Sequence, residues 1–304
     1  MIKIFSVIVT YNGLKWYDRC FGSLQNSSIP VSVVVVDNGS TDGTVDYIRC
    51  RYPEIVVLQQ DENLGFAKAN NVGMRYAMDH GADYVFLLNQ DAWINERNTI
   101  SELIRISQEN PQFYILSPLQ LYAGSGRIQT EVLYHFSCEA NSDNDYLSDL
   151  YRDRILDLYE ISFSCAACWL LPIKTLQKIG GFDPIFYHYG EDDNYVQRVH
   201  YHGAKVAICP KISYSHDIEN RLNDYRKENL DWKKYLLIKI CDINLDINIK
   251  SLLEGKKYVL LLMFLRVQRK KFRKLFPEYK YIKFMKEKLE ESRLVNKEGG
   301  SCWL

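Results

Sequence analysis

The chain reads as an α/β protein: a mostly parallel central sheet flanked by helices, continued by a helical C-terminal extension. Three observations predict this. Up to Asp91, apolar runs suited to strands alternate with segments of helical period. The runs are unbroken rather than alternating in polarity, as expected of strands buried on both faces of a parallel sheet. From about residue 221 that rhythm gives way to basic sequence of helical period.

Phe5–Thr10 (FSVIVT) is a β-branched strand that ends at the turn signal Tyr11-Asn12-Gly13. Trp16–Leu24 follows as an amphipathic helix with Tyr17, Cys20, Phe21 and Leu24 on one face. Val31–Val36 is a second strand, stopping at DNGSTDGT (37–44), where Thr41 or Asp42 can cap a helix starting near Thr44. Ile55–Gln59 is a third. After Asn63-Leu64-Gly65, Phe66–His80 has helical spacing, with Asn70 and Asn71 inside it. Tyr84–Leu88 is the fourth strand and breaks off at Asn89-Gln90-Asp91. This order predicts parallel pairing with right-handed crossovers.

Beyond Asp91 the pattern loosens. Ile100–Glu109 reads as a helix and Tyr114–Pro118 as a strand. Residues 137–160 carry seven acids against two arginines and read as a loop or irregular helix over the site. Phe163–Pro172 is a buried strand, and Ile173–Ile179 a helix stopped by Gly180-Gly181. The aromatic-rich Phe182–Tyr189 leads to Gly190-Glu191-Asp192-Asp193, then a helix over Asn194–His202. Lys205–Cys209 is a strand, with Tyr214–Asp217 after it. In the extension, Trp232–Ile240 and Tyr258–Phe276 read as helices.

The 304 residues suffice for a full core in one large or two smaller domains. Basic and acidic residues balance, 38 against 38, so the chain carries no signal for a nucleic-acid partner. The balance hides an asymmetry: Lys256–Lys288 holds twelve Lys/Arg against two acids, Glu278 and Glu287. The N-terminal MIKIFSVIVTYNG has no cleavable-signal pattern, and no stretch approaches the roughly eighteen apolar residues of a membrane span. The eight cysteines are scattered in a chain of cytosolic character, which makes reduced thiols the default. Cys165 and Cys168 form a single CxxC that lacks the two further ligands of a structural zinc; both suit small buried side chains.

Four polar loops fall where chemistry belongs. Asp37 ends the second strand, Asp91 the fourth, Glu191–Asp193 open a later helix, and His216 follows the last strand. In a parallel sheet Asp37 and Asp91 share the carboxyl edge, where ligands bind in open α/β sheets. Asp91 then suits a divalent cation on a phosphorylated substrate. The alternative is that Asn89 and Asp91 only shape a turn or cap a helix. Together the four loops describe a base-and-ribose reader, a metal ligand and a general base.

The residues FSVIVTYN (5–12), VVVVDNGSTDGT (33–44), ENLGFAKANNVG (62–73), FLLNQDA (86–92), GGFDPIFYHYGEDDNYVQRVHYHG (180–203) and YSHD (214–217) resemble, in order, those of family 2 glycosyltransferases of the GT-A fold. The likeness is to bacterial rhamnosyltransferase-like enzymes of surface polysaccharides and covers residues 1–220. It implies a catalytic domain over 1–220, with a nucleotide-sugar half (1–120) and an acceptor half (121–220), and a basic extension over 221–304 outside it. It further implies a hexosyltransferase that takes a UDP- or dTDP-sugar and Mg²⁺ or Mn²⁺, and serves a glycan or lipid-linked acceptor. The place implied is the cytoplasm, with peripheral contact to the inner face of the cell membrane.

The resemblance also assigns residues. Thr10, Tyr11, Asp37, Asn38, Asn63, Gly65, Phe66 and Asn71 would line the nucleotide, with Lys68 reaching a phosphate and Asp37 reading a pyrimidine N–H. Asn89-Gln90-Asp91 occupies the family's DxD position. Its first acid is Asn here, which leaves Asp91 as the carboxylate ligand, aided by His216. Sugar transfer needs a base for an acceptor hydroxyl of high pKa. Asp192 takes that role, with Glu191 next. Asp193 is equally read as an acid favoured by the helix dipole.

Residues without a motif read two ways. His188, His200 and His202 suit surface or packing roles over metal binding, Trp93 and Trp169 either stack on a sugar or pack the core, and Tyr187 and Tyr189 line an acceptor cleft. The apolar stripe and clustered cations of 256–288 suit either a solvated helix face or an anionic bilayer. Rival functions fare worse. A sugar nucleotidyltransferase wants a glycine-rich, basic phosphate loop where TYNGLKWYD offers one glycine, no GxGxxG follows a strand, and a silent sugar-binding protein has no need of Asp91 and Glu191-Asp192.

Overall fold

The computed structural model describes residues 2–130, 132–133, 145–218 and 232–304. One sheet runs through the molecule in the order β3-β2-β1-β4-β8-β6-β9-β5, with β7 pairing on β9. Its first half is the parallel unit expected: β1 (Ile4–Thr10) lies between β2 (Ser32–Asp37) and β4 (Tyr84–Leu88), and β3 (Val56–Gln59) flanks β2. The valine run explains the position of β2, since Val34, Val35 and Val36 are wholly buried under helices on both faces. Those helices are α1 (Tyr17–Gln25), α2 (Thr44–Arg51) and α3 (Gly65–Asp79). Thr10 pairs in register with Asp37, so the polar ends of the strands share one edge. At the start of α2 the cap residue is Gly43, and Asp42 accepts from the Thr44 N–H at 3.1 Å.

The second half of the sheet is mixed. β8 (Cys168–Pro172) runs antiparallel to β4 and to β6 (Phe113–Tyr122). β9 (Lys205–His216) lies parallel to β6, and the short β5 (Ala92–Ile94) and β7 (Tyr159–Ile161) pair antiparallel with β9. Lys205–Cys209 and Tyr214–Asp217 are therefore not separate segments. The register steps from Pro118↔Cys209 to Leu119↔Ser213, so Pro210, Lys211 and Ile212 bulge out where a proline cannot donate to the ladder. The same bulge lets β6 continue past Pro118 to Tyr122. Strand β8 is shorter than the apolar run Phe163–Pro172, and β5 has no sequence counterpart. The helices here are α4 (Thr99–Glu109), α5 (Tyr146–Tyr151), α6 (Ile173–Ile179) and α7 (Glu191–Tyr201). Of the acid-rich stretch, 145–160 supply α5, capped by the Asp145 side chain, and β7; residues 137–144, with Cys138, lie outside the described residues.

The extension, whose first residues 219–231 lie outside the described residues, forms α8 (Trp232–Cys241), α9 (Ile249–Leu265) and α10 (Arg269–Glu298). The single helix expected over Tyr258–Phe276 is broken: Arg266-Val267-Gln268 make a turn, with Val267 at φ 53°. No glycine or proline marks that turn, and Pro277 lies inside α10 instead. Leu237, Ile240, Ile249, Ile282 and Leu289 join Phe186 in a core of their own. Arg293 ties the helices together by donating to the carbonyls of Ile240 (2.6 Å), Asp242 and Leu245 (both 2.7 Å). The chain then returns to the sheet-bearing part, where Cys302 O accepts from Gly181 N at 2.8 Å and Leu304 O accepts from Arg75.

Candidate active site

The polar edge of the parallel strands is interlocked by side chains. Thr10 Oγ1 donates to Asp37 Oδ1 (3.3 Å) and the Ser40 amide to Asp37 Oδ2 (3.2 Å), so the buried carboxylate joins the first two strand ends. Gln90 clamps the exposed Tyr11 by accepting from its N–H at 3.0 Å and donating to its carbonyl at 3.2 Å. Asn38 donates to Asn63 Oδ1 (2.9 Å) and accepts from Leu64 N (2.7 Å), fixing the loop that enters α3.

Gly65 is required there. Its φ is 79°, and a Cβ would collide with the Tyr187 carbonyl, which accepts from Phe66 N at 3.1 Å. The Tyr187 hydroxyl returns to Asn63 O at 3.2 Å. The loop entering α3 and the segment leading to the acids are thus one surface. Asn71 is part of the same seam rather than of the open edge: its amide donates to Phe182 O (2.8 Å) and accepts from Phe182 N (2.7 Å). Phe66 is half-buried with its ring edge-on to Phe182, and Lys68 is exposed one turn further along α3.

At the end of β4 the Asn89 amide donates to Ala167 O at 2.9 Å. Asp91 is buried and faces His216, with Oδ1 and Nε2 3.4 Å apart. Asp217 holds the pair in place by its backbone, donating to Asp91 O (2.9 Å), and is itself held by Trp16 Nε1 (2.7 Å). On the far side of the imidazole, buried Gln120 meets His216 Nδ1 at 2.8 Å, and Gln120 Oε1 accepts from the Cys165 thiol at 3.0 Å. Burial raises that thiol to about 11, and the charge of nearby Asp192 adds to the rise.

The three acids occupy the first turn of α7, after Gly190 at φ 94°. Glu191 is buried, and its Oε2 has no hydrogen-bond partner among the described residues. Burial first, and repulsion by Asp192 second, push Glu191 and Asp193 well above the usual carboxylate range. Asp192 is also raised by burial, but the amides of Asp193 (3.0 Å) and Ala166 bond its carboxylate and oppose the rise. Lys234 of α8 lowers all three and lies over the Tyr189 ring at 4.6 Å.

Asp91 and Asp192 therefore flank one short segment, Cys165–Ala167, and Asp37 joins them through the strand edge. The other singled-out residues divide. Trp169 is wholly buried against Phe182 and Tyr195, Trp93 lies under Arg19, and His200 and His202 meet the carbonyls of Ser162 and Asn296. Cys165 and Cys168 are free thiols, the latter fully buried. Gln120, Cys165, Ala166 and Asp217 were not among the expected site residues. A glutamine inside the apolar run FYILSPLQLY was the available sign for the first.

The model of the family "Glycosyl transferase family 2" matches residues 6–180. The chain belongs to this family. The match ends before Glu191–Asp193, so the place of those acids is given by the structure. Among curated relatives of this family 2 chain is the N-acetylglucosaminyl-diphospho-decaprenol L-rhamnosyltransferase of Mycobacterium tuberculosis, 26% identical over 229 residues, 69% of this chain and 74% of that one. The dTDP-rhamnosyl transferase RfbF of Shigella flexneri is 24% identical over 247 residues, 81% and 74% of the two chains. Family 2 membership and these relatives make the chain a glycosyltransferase of hexosyl-transfer type. Solved structures share the GT-A fold: S. aureus TarS 1-349 in complex with UDP has a TM-score of 0.57 at 17% identity, covering 81% of this chain and 67% of that one. The mannosyltransferase PcManGT from Pyrobaculum calidifontis, in complex with GDP-Man and Mn2+, has a TM-score of 0.54 at 16% identity, covering 79% and 61%.

Proposed function

We propose that this family 2 glycosyltransferase is an inverting, metal-dependent enzyme. It moves a sugar from a UDP- or dTDP-sugar to a hydroxyl of a glycan or lipid-linked acceptor in surface polysaccharide synthesis. One observation carries the reading: the run of contacts from Asp91 through His216, Gln120 and Cys165 to the Ala166 amide that bonds Asp192. It sets a carboxylate–imidazole pair and a proton acceptor on either side of one segment.

The donor set fits a hard divalent cation. Asp91 offers a carboxylate oxygen and His216 an imidazole nitrogen 3.4 Å apart, and no third His, Cys, Asp or Glu completes a cluster among the described residues. Asp91 and His216 are the residues that would hold Mg²⁺ or Mn²⁺. When bound, the ion supplies Lewis-acid stabilisation of the charge that develops on the leaving diphosphate. Gln120 sets which His216 nitrogen bears the proton: its Nε2 faces Nδ1 while its Oε1 accepts from Cys165, and reversing that amide, so that the carbonyl oxygen accepts from Nδ1–H, would free Nε2 for the metal.

The remaining steps belong to the chain. Asp37, each of whose oxygens keeps a lone pair after Thr10 and Ser40, accepts the pyrimidine N–H. Asn38, Asn63, Gly65 and Phe66 shape the nucleotide loop, Thr10, Tyr11, Asn89 and Gln90 border it, and exposed Lys68 is the residue placed to reach a phosphate. Asp192 takes the acceptor's hydroxyl proton as that oxygen bonds the anomeric carbon and the bond to the diphosphate breaks. A single displacement inverts the centre. Glu191, more deeply buried and without a partner for Oε2, stays neutral and leaves the charge to Asp192, whose carboxylate two amides stabilise.

We further assign the donor half to residues 1–120, the acceptor half to 121–220, and the extension to the cytoplasmic face of the cell membrane, with 256–288 as the contact. The relatives' names, one with a diphospho-decaprenol acceptor and one with a dTDP-linked donor, support this reading. A panel of nucleotide sugars with Mn²⁺ tests it: diphosphate release from a UDP- or dTDP-sugar, with inversion seen by NMR, is expected. No release from any donor, and no melting shift with UDP or dTDP, supports the silent sugar-binding alternative instead.

A further inference from the structure

We propose that the turn between α9 and α10 is a wedge that enters an anionic lipid surface tip first, a sharper claim than the peripheral contact on which it rests. The break at Arg266-Val267-Gln268 replaces the single helix expected over Tyr258–Phe276 with a hairpin that ends in an apolar point. Phe264, Leu265 and Val267 are 71%, 66% and 70% exposed at its end, a concentration of bare apolar surface at one turn. Arg266, Arg269, Lys270, Lys271, Arg273 and Lys274 lie in the turn and the first turns of α10 next to it, and all are exposed. No acid occurs between Gly255 and Pro277.

An apolar point beside a cluster of exposed cations is complementary to one partner: a bilayer with anionic headgroups, where cations stay at the phosphates and the tip reaches the acyl boundary. A second observation agrees. Val267 holds the left-handed conformation at φ 53°, closing the turn as its N–H bonds Phe264 O (3.1 Å) and Gln268 N bonds Met263 O (2.8 Å). Glycine is the ordinary residue for that position, and a β-branched side chain there is strained. The sequence keeps a bulky apolar residue where fold stability alone favours none. Strain of this kind persists where a surface has a task.

The base of the hairpin, with Lys256 paired to Glu278 at 2.8 Å and Ile249 and Ile282 in the core beside Phe186, fixes the wedge to the segment carrying Tyr187–Asp192. Membrane depth is thereby tied to the place of the acids, as an acceptor anchored in lipid requires.

The test sediments the full chain with phosphatidylcholine vesicles, with and without phosphatidylglycerol. Binding is expected only to the anionic vesicles, and Phe264→Ser/Leu265→Ser/Val267→Ser should weaken it by about tenfold or more, with far-UV circular dichroism unchanged. Because these side chains lie outside the core, loss of binding is not loss of fold. Phe264→Trp should show a blue-shifted emission on the same vesicles. Equal binding by the triple variant, or an unshifted Phe264→Trp that still sediments, overturns insertion but leaves a flat electrostatic contact standing. No sedimentation of the wild type overturns both, and a change of mass with the triple variant in sedimentation velocity assigns the tip to a second copy instead. Diphosphate release on a soluble acceptor is independent of all these outcomes.

Discussion

The two sides of the cleft are built on opposite principles. On the strand edge, Asp37, Gln90, Asn38 and Asn63 each bond a neighbouring loop, so that edge is cross-braced by side chains. On the α7 side, three acids stand together in one turn near Lys234, and among the described residues Glu191 Oε2 is left without a hydrogen-bond partner. Hydrogen bonds position the first group and crowding tunes the second. If the proposed roles hold, donor recognition should resist single changes, whereas proton acceptance should depend on one carboxylate.

The sharpest way to break this contrast is Asp192→Asn. Proton abstraction is worth about 10²–10⁴ in rate, so kcat should fall by that order while the melting shift with UDP or dTDP is kept. Loss of nucleotide binding in the variant would falsify the division into a donor side and a base side. The wild-type rate should rise with pH as the raised Asp192 carboxyl ionises, and a flat profile would reassign the base.

Next in size is Gln120→Leu, which leaves Asp91 and His216 in place but removes the group at His216 Nδ1 (2.8 Å). Removing such a partner of a metal-bound histidine costs about 10–100-fold in affinity. Mn²⁺ titration followed by electron paramagnetic resonance should show this without any turnover. Unchanged affinity in the variant means Gln120 only fills space; no Mn²⁺ binding by the wild type instead removes the metal from the proposal.

How much of this could be read from the chain varies with the range of the contact. The four parallel strands were legible because burial on both faces demands unbroken apolar runs, and their polar stops placed Asp37 and Asp91 on one edge. Glu191–Asp193 were legible as a motif. Partnerships across 96 residues, as between Gln120 and His216, leave no local trace, because they depend on how β6 and β9 register. The turn at 266–268 was illegible for a different reason: the usual breakers are absent there, and Pro277, which does look like one, is accommodated inside α10. The docking of the extension on Asp183 was equally hidden.

That docking gives a smaller effect. Asp183 Oδ2 accepts from Ser292 Oγ (2.6 Å) and Asn296 Nδ2 (2.7 Å), while Oδ1 accepts from Ile185 N (2.9 Å), so α10 buttresses the segment that leads to the acids. Asn296→Ala leaves a buried carboxylate short of a donor, a loss of about 1–3 kcal/mol measurable by urea unfolding. If the extension were only an appendage, stability would not change.

The last effect probes the crowded side directly. In the folded chain the Glu191 carboxyl is raised from 4.5 to about 8, because burial and Asp192 both disfavour its charge. A raised carboxyl binds its proton more tightly folded than unfolded, so its contribution is fully present below 4.5 and is lost as pH rises towards about 8. Glu191→Gln, which cannot ionise, should match the wild type near the acid end and melt higher near the alkaline end, by on the order of 2–4 °C for each kcal/mol relieved. The sign separates two views of the turn. If these acids were ordinary partners of the helix dipole, the glutamine variant would melt lower at the alkaline end. A higher melting temperature there instead means that the fold holds a charge cluster it would be more stable without, as a site kept for proton transfer must.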